Sequence, residues 1–85
     1  MEIRFTQYAL EQLSERDLAE ELVRQVVVNP GQLVGSKRGR IIAQTKIQLG
    51  GKEQVVRVIY EEVGDFVLVI TAYTSTKVSK YWRTQ

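Results

Sequence analysis

The chain changes its hydrophobic rhythm once, near residue 30. Before that point apolar residues recur at helical spacing; after it they alternate. Ile3 and Phe5 alternate in an opening segment, residues 2–5, which predicts a short edge strand. Thr6 suits a helix N-cap, and Ala9, Leu10 and Leu13 form the apolar side of a short helix behind it. A second stripe, Leu18, Leu22, Val23, Val26 and Val27, predicts a second helix. Asp17 with Glu20 three residues later reads as its capping box, with Asp in place of the usual Ser or Thr. Ser14 is the alternative start. Asn29-Pro30-Gly31 ends that helix.

Residues 32–38 read as a loop. Over residues 40–49, Ile41, Ala43, Thr45, Ile47 and Leu49 alternate with Gln44, Lys46 and Gln48, the pattern of a half-buried strand. Gly50-Gly51 predicts a two-residue hairpin, with a second strand over residues 53–60. A third covers residues 66–74, and its run FVLVITAY suits a central position. Residues 75–85 form a basic, aromatic tail. The predicted fold is α+β: a short N-terminal strand and a two-helix hairpin packed on one face of an antiparallel sheet of three to four strands. Residues 1–85 make one domain.

Register decides which side chains share a face, because a one-residue slip inverts them all. A two-residue loop at Gly50-Gly51 sets Leu49 opposite Lys52, and Ile41, Ala43 and Thr45 opposite Tyr60, Val58 and Val56. An odd loop over residues 61–65 then sets Tyr60 opposite Phe66 and adds Phe66, Leu68, Ile70 and Ala72 to the same face. An even loop would mix Arg57 into that apolar set, and burying an unpaired charge is expensive. The odd loop is therefore expected. With the helices on the apolar face, the other face presents Arg40, Gln44, Lys46, Arg57, Thr71 and Tyr73, interleaved with Val55, Ile59, Val67 and Val69. Such a face suits an RNA backbone with stacked bases. The competing reading pairs Arg57 with a cross-strand glutamate and lays the tail over the valines.

Composition narrows the chemistry. The 85 residues include no cysteine and no histidine. Disulfide and thiolate chemistry are excluded, and so are the commonest general base and metal ligand. No tight Asp/Glu cluster marks the sheet region, so neither a metal nor a cofactor is expected. No apolar run approaches the roughly 20 residues of a membrane span. The opening residues lack a signal-peptide layout, which makes a cytoplasmic location the expectation. Charge is uneven: residues 1–33 are net acidic and residues 34–85 net basic. That split points the second half at a polyanion, although ordinary surface solubility would also produce it.

Two segments, FTQYALEQLSERDLAEELVRQVVVNP and VVRVIYEEVGDFVLVITAYTSTKVSKYW, resemble small domains of the RelE/ParE-like toxin superfamily. They span residues 5–30 and 55–82. The likeness is nearest to an uncharacterised subgroup. It implies a short strand, a helical hairpin ending in Asn-Pro, and an antiparallel sheet. It implies a toxin-like RNA-binding domain acting as a metal-free endoribonuclease on RNA, ribosome-bound message included, with a cognate antitoxin protein as partner. Other members of that superfamily poison DNA gyrase, and a non-catalytic protein-interaction module of the same fold is the alternative. Tyr8 stands where the subgroup usually shows a histidine.

Metal-free cleavage needs charge stabilisation at phosphorus and two proton transfers. Arg57, a charge in a Val-Arg-Val-Ile context, is the candidate phosphate clamp. Lys46 shares its face and could steer phosphate or act as a base. From the resemblance, the C-terminal end supplies a tyrosine or basic group, which singles out Lys77, Lys80, Tyr81 and Arg83. Tyr81 would be a general acid or a stacking platform. Tyr73 would stack at the strand end, and Trp82 would stack on a base or close the core. Lys37, Arg38 and Arg40 form a basic cluster suited to backbone contacts, or simply a solvated loop. Glu61, Glu62 and Asp65 read as a solvated turn.

Overall fold

A computed structural model describes the chain apart from Ser36, Gln85 and the side chain of Lys37. Nine elements follow in order among the described residues. Strand β1 (Glu2–Phe5) leads into helices α1 (Gln7–Glu15) and α2 (Glu20–Val28). Strand β2 (Gln32–Gly35) and a 3-10 turn (Lys37–Gly39) come next. Strands β3 (Ile41–Leu49), β4 (Lys52–Val63) and β5 (Phe66–Ser75) precede a short terminal helix α3 (Val78–Tyr81).

The sheet has five strands in the order β1-β5-β4-β3-β2. Strand β1 runs parallel to β5, while the other pairs are antiparallel. This corrects the expected antiparallel sheet of three to four strands. The sheet is mixed, and residues 32–35, read as loop, form its far edge with Leu33 opposite Ala43. Four residues ending in glycine carry too little alternation to show in the pattern. Parallel pairing of β1 is a tertiary outcome, set when α1 and α2 carry the chain across the sheet from one edge to the other.

Thr6 caps α1 as expected, its side-chain oxygen accepting from the Ala9 amide at 2.9 Å. Asp17 does not cap α2. That helix starts at Glu20 behind Ala19, which makes no side-chain cap bond. Asp17 instead lies in the left-handed region, φ 55°, just past the end of α1. The Leu18 amide donates to the Leu13 carbonyl at 2.9 Å and the Asp17 amide to Ser14 at 3.3 Å. Those two bonds, with Leu13 and Leu18 both buried, make a Schellman C-cap.

The helices bury Ala9, Leu13, Val23, Val26 and Val27 against Ala43, Val56, Val58, Tyr60, Val67, Val69 and Ala72 of the sheet. Pairing between β3 and β4 is as expected, with Leu49 opposite Lys52 and Ile41 opposite Tyr60. Pairing between β4 and β5 is not. The turn is two residues, Gly64 and Asp65, so Val63 faces Phe66 and Tyr60 faces Val69. The register then shifts between Ile59 and Tyr60, leaving Ile70 unpaired, and Val58 faces Ala72. Val67 and Val69 therefore join the helix side. Phe66 and Leu68 go to the other side, where the Arg4 guanidinium stands 4.0 Å over the Phe66 ring. The premise behind the odd loop still holds, because Arg57 stays out of the apolar core. A bulge, rather than an odd loop, changes the phase.

Strand β1 covers only residues 66–69 of β5, leaving the rest of that edge without a strand neighbour. Arg16, at the end of α1, closes part of it: its Nη1 donates to the Ala72 carbonyl at 2.8 Å. No helix among the described residues is long and apolar enough to cross a membrane.

Candidate nucleic-acid interface

The sheet face away from α1 and α2 carries a second, polar centre. The alternation of β3 and β4 places Gln44 opposite Arg57, and β5 adds Tyr73 opposite Arg57. Three neighbouring strands thus deliver an amide, a guanidinium and a phenol to one line across the sheet. The tail then turns over this line, and α3 sets Tyr81 and Trp82 against it.

Gln44 is fully buried, and both ends of its amide are used. Its Nε2 donates to Gln32 Oε1 at 2.8 Å and to the Tyr81 carbonyl at 3.0 Å. Its Oε1 accepts from Arg57 Nε at 2.9 Å. Arg57 Nη1 donates to the Tyr73 hydroxyl at 2.7 Å, and the guanidinium carbon lies 4.1 Å from the centre of the Tyr81 ring. Tyr73 and Tyr81 meet edge to face at 6.3 Å. Gln32 also fixes the tail by accepting from the Arg83 amide at 3.0 Å and donating to the Arg83 carbonyl at 2.6 Å. Val55 is fully buried on this face without belonging to the helix-side core. Helix α3 packs against β4 and accounts for this burial, whereas Val67 and Val69, which the competing sequence reading also laid under the tail, lie in the helix-side core.

Every partner of Arg57 is electrically neutral. The ion pairs among the described residues are Arg4–Glu2, Arg24–Glu20 and Arg40–Glu61; none reaches Arg57. Its Nη2 makes no hydrogen bond among the described residues, yet no buried side-chain nitrogen or oxygen there lacks a partner. Nη2 is therefore not sealed from solvent. A half-buried guanidinium held by neutral groups still has donor capacity that an anion could use.

Tyr81 responds to the same charges. Partial desolvation works to raise its phenol, but the Lys80 ammonium, the Tyr73 and Lys80 groups beside its hydroxyl, and Arg57 together hold it below the ordinary tyrosine range. Lys80 Nζ stands 5.2 Å from the Tyr81 ring centre. Lys46 Nζ stands 4.8 Å from that of Trp82. Gly31 lets Trp82 approach: a Cβ there would lie 2.8 Å from Trp82 Cη2 and 3.2 Å from the Gln44 carbonyl oxygen.

The structure thus brings Arg57, Tyr73, Tyr81, Lys80 and Lys46 into one neighbourhood. Lys77 is exposed at the start of α3, where its amide donates to Ser75 Oγ at 3.0 Å. Arg83 joins through its backbone, and its residue is exposed. The basic cluster ahead of β3 is elsewhere. Arg40 lies four residues from Gln44, about 13 Å along the strand, and pairs with Glu61 at 3.1 Å. Arg38 is exposed with φ 69°, and the Lys37 side chain lies outside the described residues. Tyr8 is exposed on α1, away from this face. Sequence reading placed Gln44 on the open face but missed its central role. An amide between alanine and threonine looks like any solvated strand position, and only the folded tail buries it.

No protein-family model, curated protein or solved structure matches the chain. Among the described residues no group of three or more acids could hold a metal ion.

Proposed function

We propose that the chain is a toxin-like, RNA-binding domain that engages single-stranded RNA on the sheet face opposite α1 and α2 and cleaves it as an endoribonuclease of a toxin–antitoxin pair. The observation that carries the reading is Arg57: a cation half-buried among neutral partners, with Nη2 not sealed from solvent. The sequence likeness to RelE/ParE-like toxins supports the same direction, and with it a cytoplasmic site of action, ribosome-bound message as a substrate and an antitoxin as partner.

The chemistry fits the groups at hand without a metal. A 2′-hydroxyl attacks the adjacent phosphorus, and the bond to the 5′-oxygen breaks, leaving a 2′,3′-cyclic phosphate. Arg57 holds the non-bridging oxygens and stabilises the extra charge that develops on them. Tyr81, its phenol lowered, takes the 2′-hydroxyl proton as phenolate. Lys46 steers the backbone, and the ammonium groups of Lys80 and Lys77 can return a proton to the departing oxygen. Tyr73 and Trp82 offer ring faces for bases.

The test is incubation of the purified chain with single-stranded RNA in excess chelator, followed by end analysis. Cyclic-phosphate ends that vanish with Arg57→Ala support the proposal. Intact RNA under these conditions removes the catalytic half. The second reading, a non-catalytic interaction module, draws on one observation: Gln44 and Tyr73 already occupy two of the guanidinium's donors, as they would in a purely structural network. It predicts a protein partner bound across the tail and no cyclic-phosphate ends.

A further inference from the structure

The same face holds a cleft of which the proposed cleavage uses only Lys46 and Trp82. Its volume is about 420 Å³, and it is lined by Lys46, Glu53, Val78, Ser79, Trp82 and Thr84. That size lies within the range of small-molecule sites. Its lining is unusual for this face. Trp82 supplies a large ring, Lys46 a cation, and Glu53 a carboxylate beside β3 and a tail whose charged residues are all basic. Glu53 is exposed, and the ion pairs among the described residues do not include it.

Strand register gives the spacing. Glu53 and Arg57 are four residues apart on β4, on the same face, which separates them by about 13 Å along the strand. Between them Val55 is sealed beneath the tail. An RNA strand held at Arg57 by a phosphate therefore passes the cleft with a neighbouring nucleotide. An aromatic wall takes a base by stacking, whatever its identity. A carboxylate beside an ammonium is selective, because it asks one ligand edge to donate and the next to accept. Guanine meets that demand most fully: its N1–H and N2 amino group both donate toward a carboxylate, and its O6 and N7 accept from a lysine.

We infer that this cleft is a nucleobase subsite with preference for guanine, in which Trp82 stacks on the base, Glu53 accepts from its donor edge and Lys46 donates to its acceptors. The inference rests on the RNA-binding reading and adds a specificity to it. Glu53 is a specificity residue, not a catalytic one.

Trp82 is the chain's single tryptophan, so fluorescence excited beyond the tyrosine absorption band reports on the cleft. The experiment titrates the full chain with 2′-O-methyl RNA 8-mers, about 8 nucleotides being within the site sizes of single-strand binders. One oligomer is all uridine, and the others carry one guanosine, adenosine or cytidine at the centre. Overall binding is followed separately by anisotropy of an end label. The expected result is Trp82 quenching with at least about ten-fold preference for the guanosine oligomer, as a lost bidentate base contact implies. Glu53→Gln, an exposed and nearly isosteric change, should abolish the preference while leaving the uridine oligomer's affinity within about two-fold. Equal affinities for all four oligomers, a preference for another base, or a guanosine preference that survives Glu53→Gln would each overturn the inference while leaving RNA binding intact. No anisotropy change with any oligomer would remove the RNA-binding reading and the subsite together.

Discussion

The guanidinium of Arg57 lies 4.1 Å over the ring of Tyr81, so a cation–ring contact is one of the ties between the middle of the sheet and the last helix. Such a contact contributes about 0.5–2 kcal/mol, more as it is desolvated. It couples the proposed anion site at Arg57 to the seating of the tail. Whatever displaces α3 uncovers Arg57, and an anion that draws Arg57 outward loosens α3.

Gln44 is where that coupling is most exposed to mutation. Gln44→Leu keeps the bulk but removes an acceptor from Arg57 and donors from Gln32 and the Tyr81 carbonyl. Leaving these groups unpaired should cost about 1–3 kcal/mol. Urea unfolding of the variant should show that loss. Trp82 emission should shift to the red as the tail lifts, before the main transition.

Tyr81 gives a pH signature. Its lowered phenol means that the folded state favours phenolate more than the unfolded chain does. The resulting stability is fully present above the unfolded value, about 10, and is lost as pH falls through the folded value. Cleavage that uses Tyr81 as a base should rise with pH, with an inflection below about 10. Lys80→Ala removes the strongest lowering influence and should move that inflection upward. Tyr81→Phe should erase it. Tyr60 behaves oppositely: burial, then the Glu62 carboxylate, raises its phenol. Ultraviolet titration should therefore lose the lowered component in Tyr81→Phe and keep the raised component of Tyr60.

Asp17 occupies a left-handed position at the end of α1, φ 55°, where a glycine would carry no Cβ strain. Asp17→Gly should raise stability by about 0.5–1 kcal/mol, and Asp17→Val should lower it by about 1–2 kcal/mol. Thermal unfolding of the two variants against the parent measures both. A loss of stability in Asp17→Gly would mean that the aspartate acts as a cap after all.

The sequence carried some of these features plainly and hid others. The β3–β4 register was readable because Gly50-Gly51 fixes the loop length and alternation does the rest. Thr6 was readable because N-cap chemistry is local. The β4–β5 pairing was not. The constraint that Arg57 avoid the core has two solutions, an odd loop or a bulge, and the bulge at Ile70 leaves no compositional mark. The parallel placement of β1 and the edge strand β2 depend on contacts distant in sequence. At the site, Arg57, Lys46, Tyr73 and Tyr81 could be named from pattern and resemblance. The fold of the tail over Gln44 and Val55, which shapes both the proposed anion site and the Trp82 cleft, could not, because a four-residue helix has no periodicity to detect.

The central claim is that Arg57 holds a phosphate. It is tested most directly by anisotropy titration of a labelled 2′-O-methyl RNA with the parent chain and Arg57→Ala across a series of salt concentrations. The account predicts at least about a ten-fold loss of affinity at low salt and a salt slope reduced by about one counterion in Arg57→Ala, with unfolding midpoints showing that the variant is folded. Equal affinity and equal slope for the two proteins would contradict it.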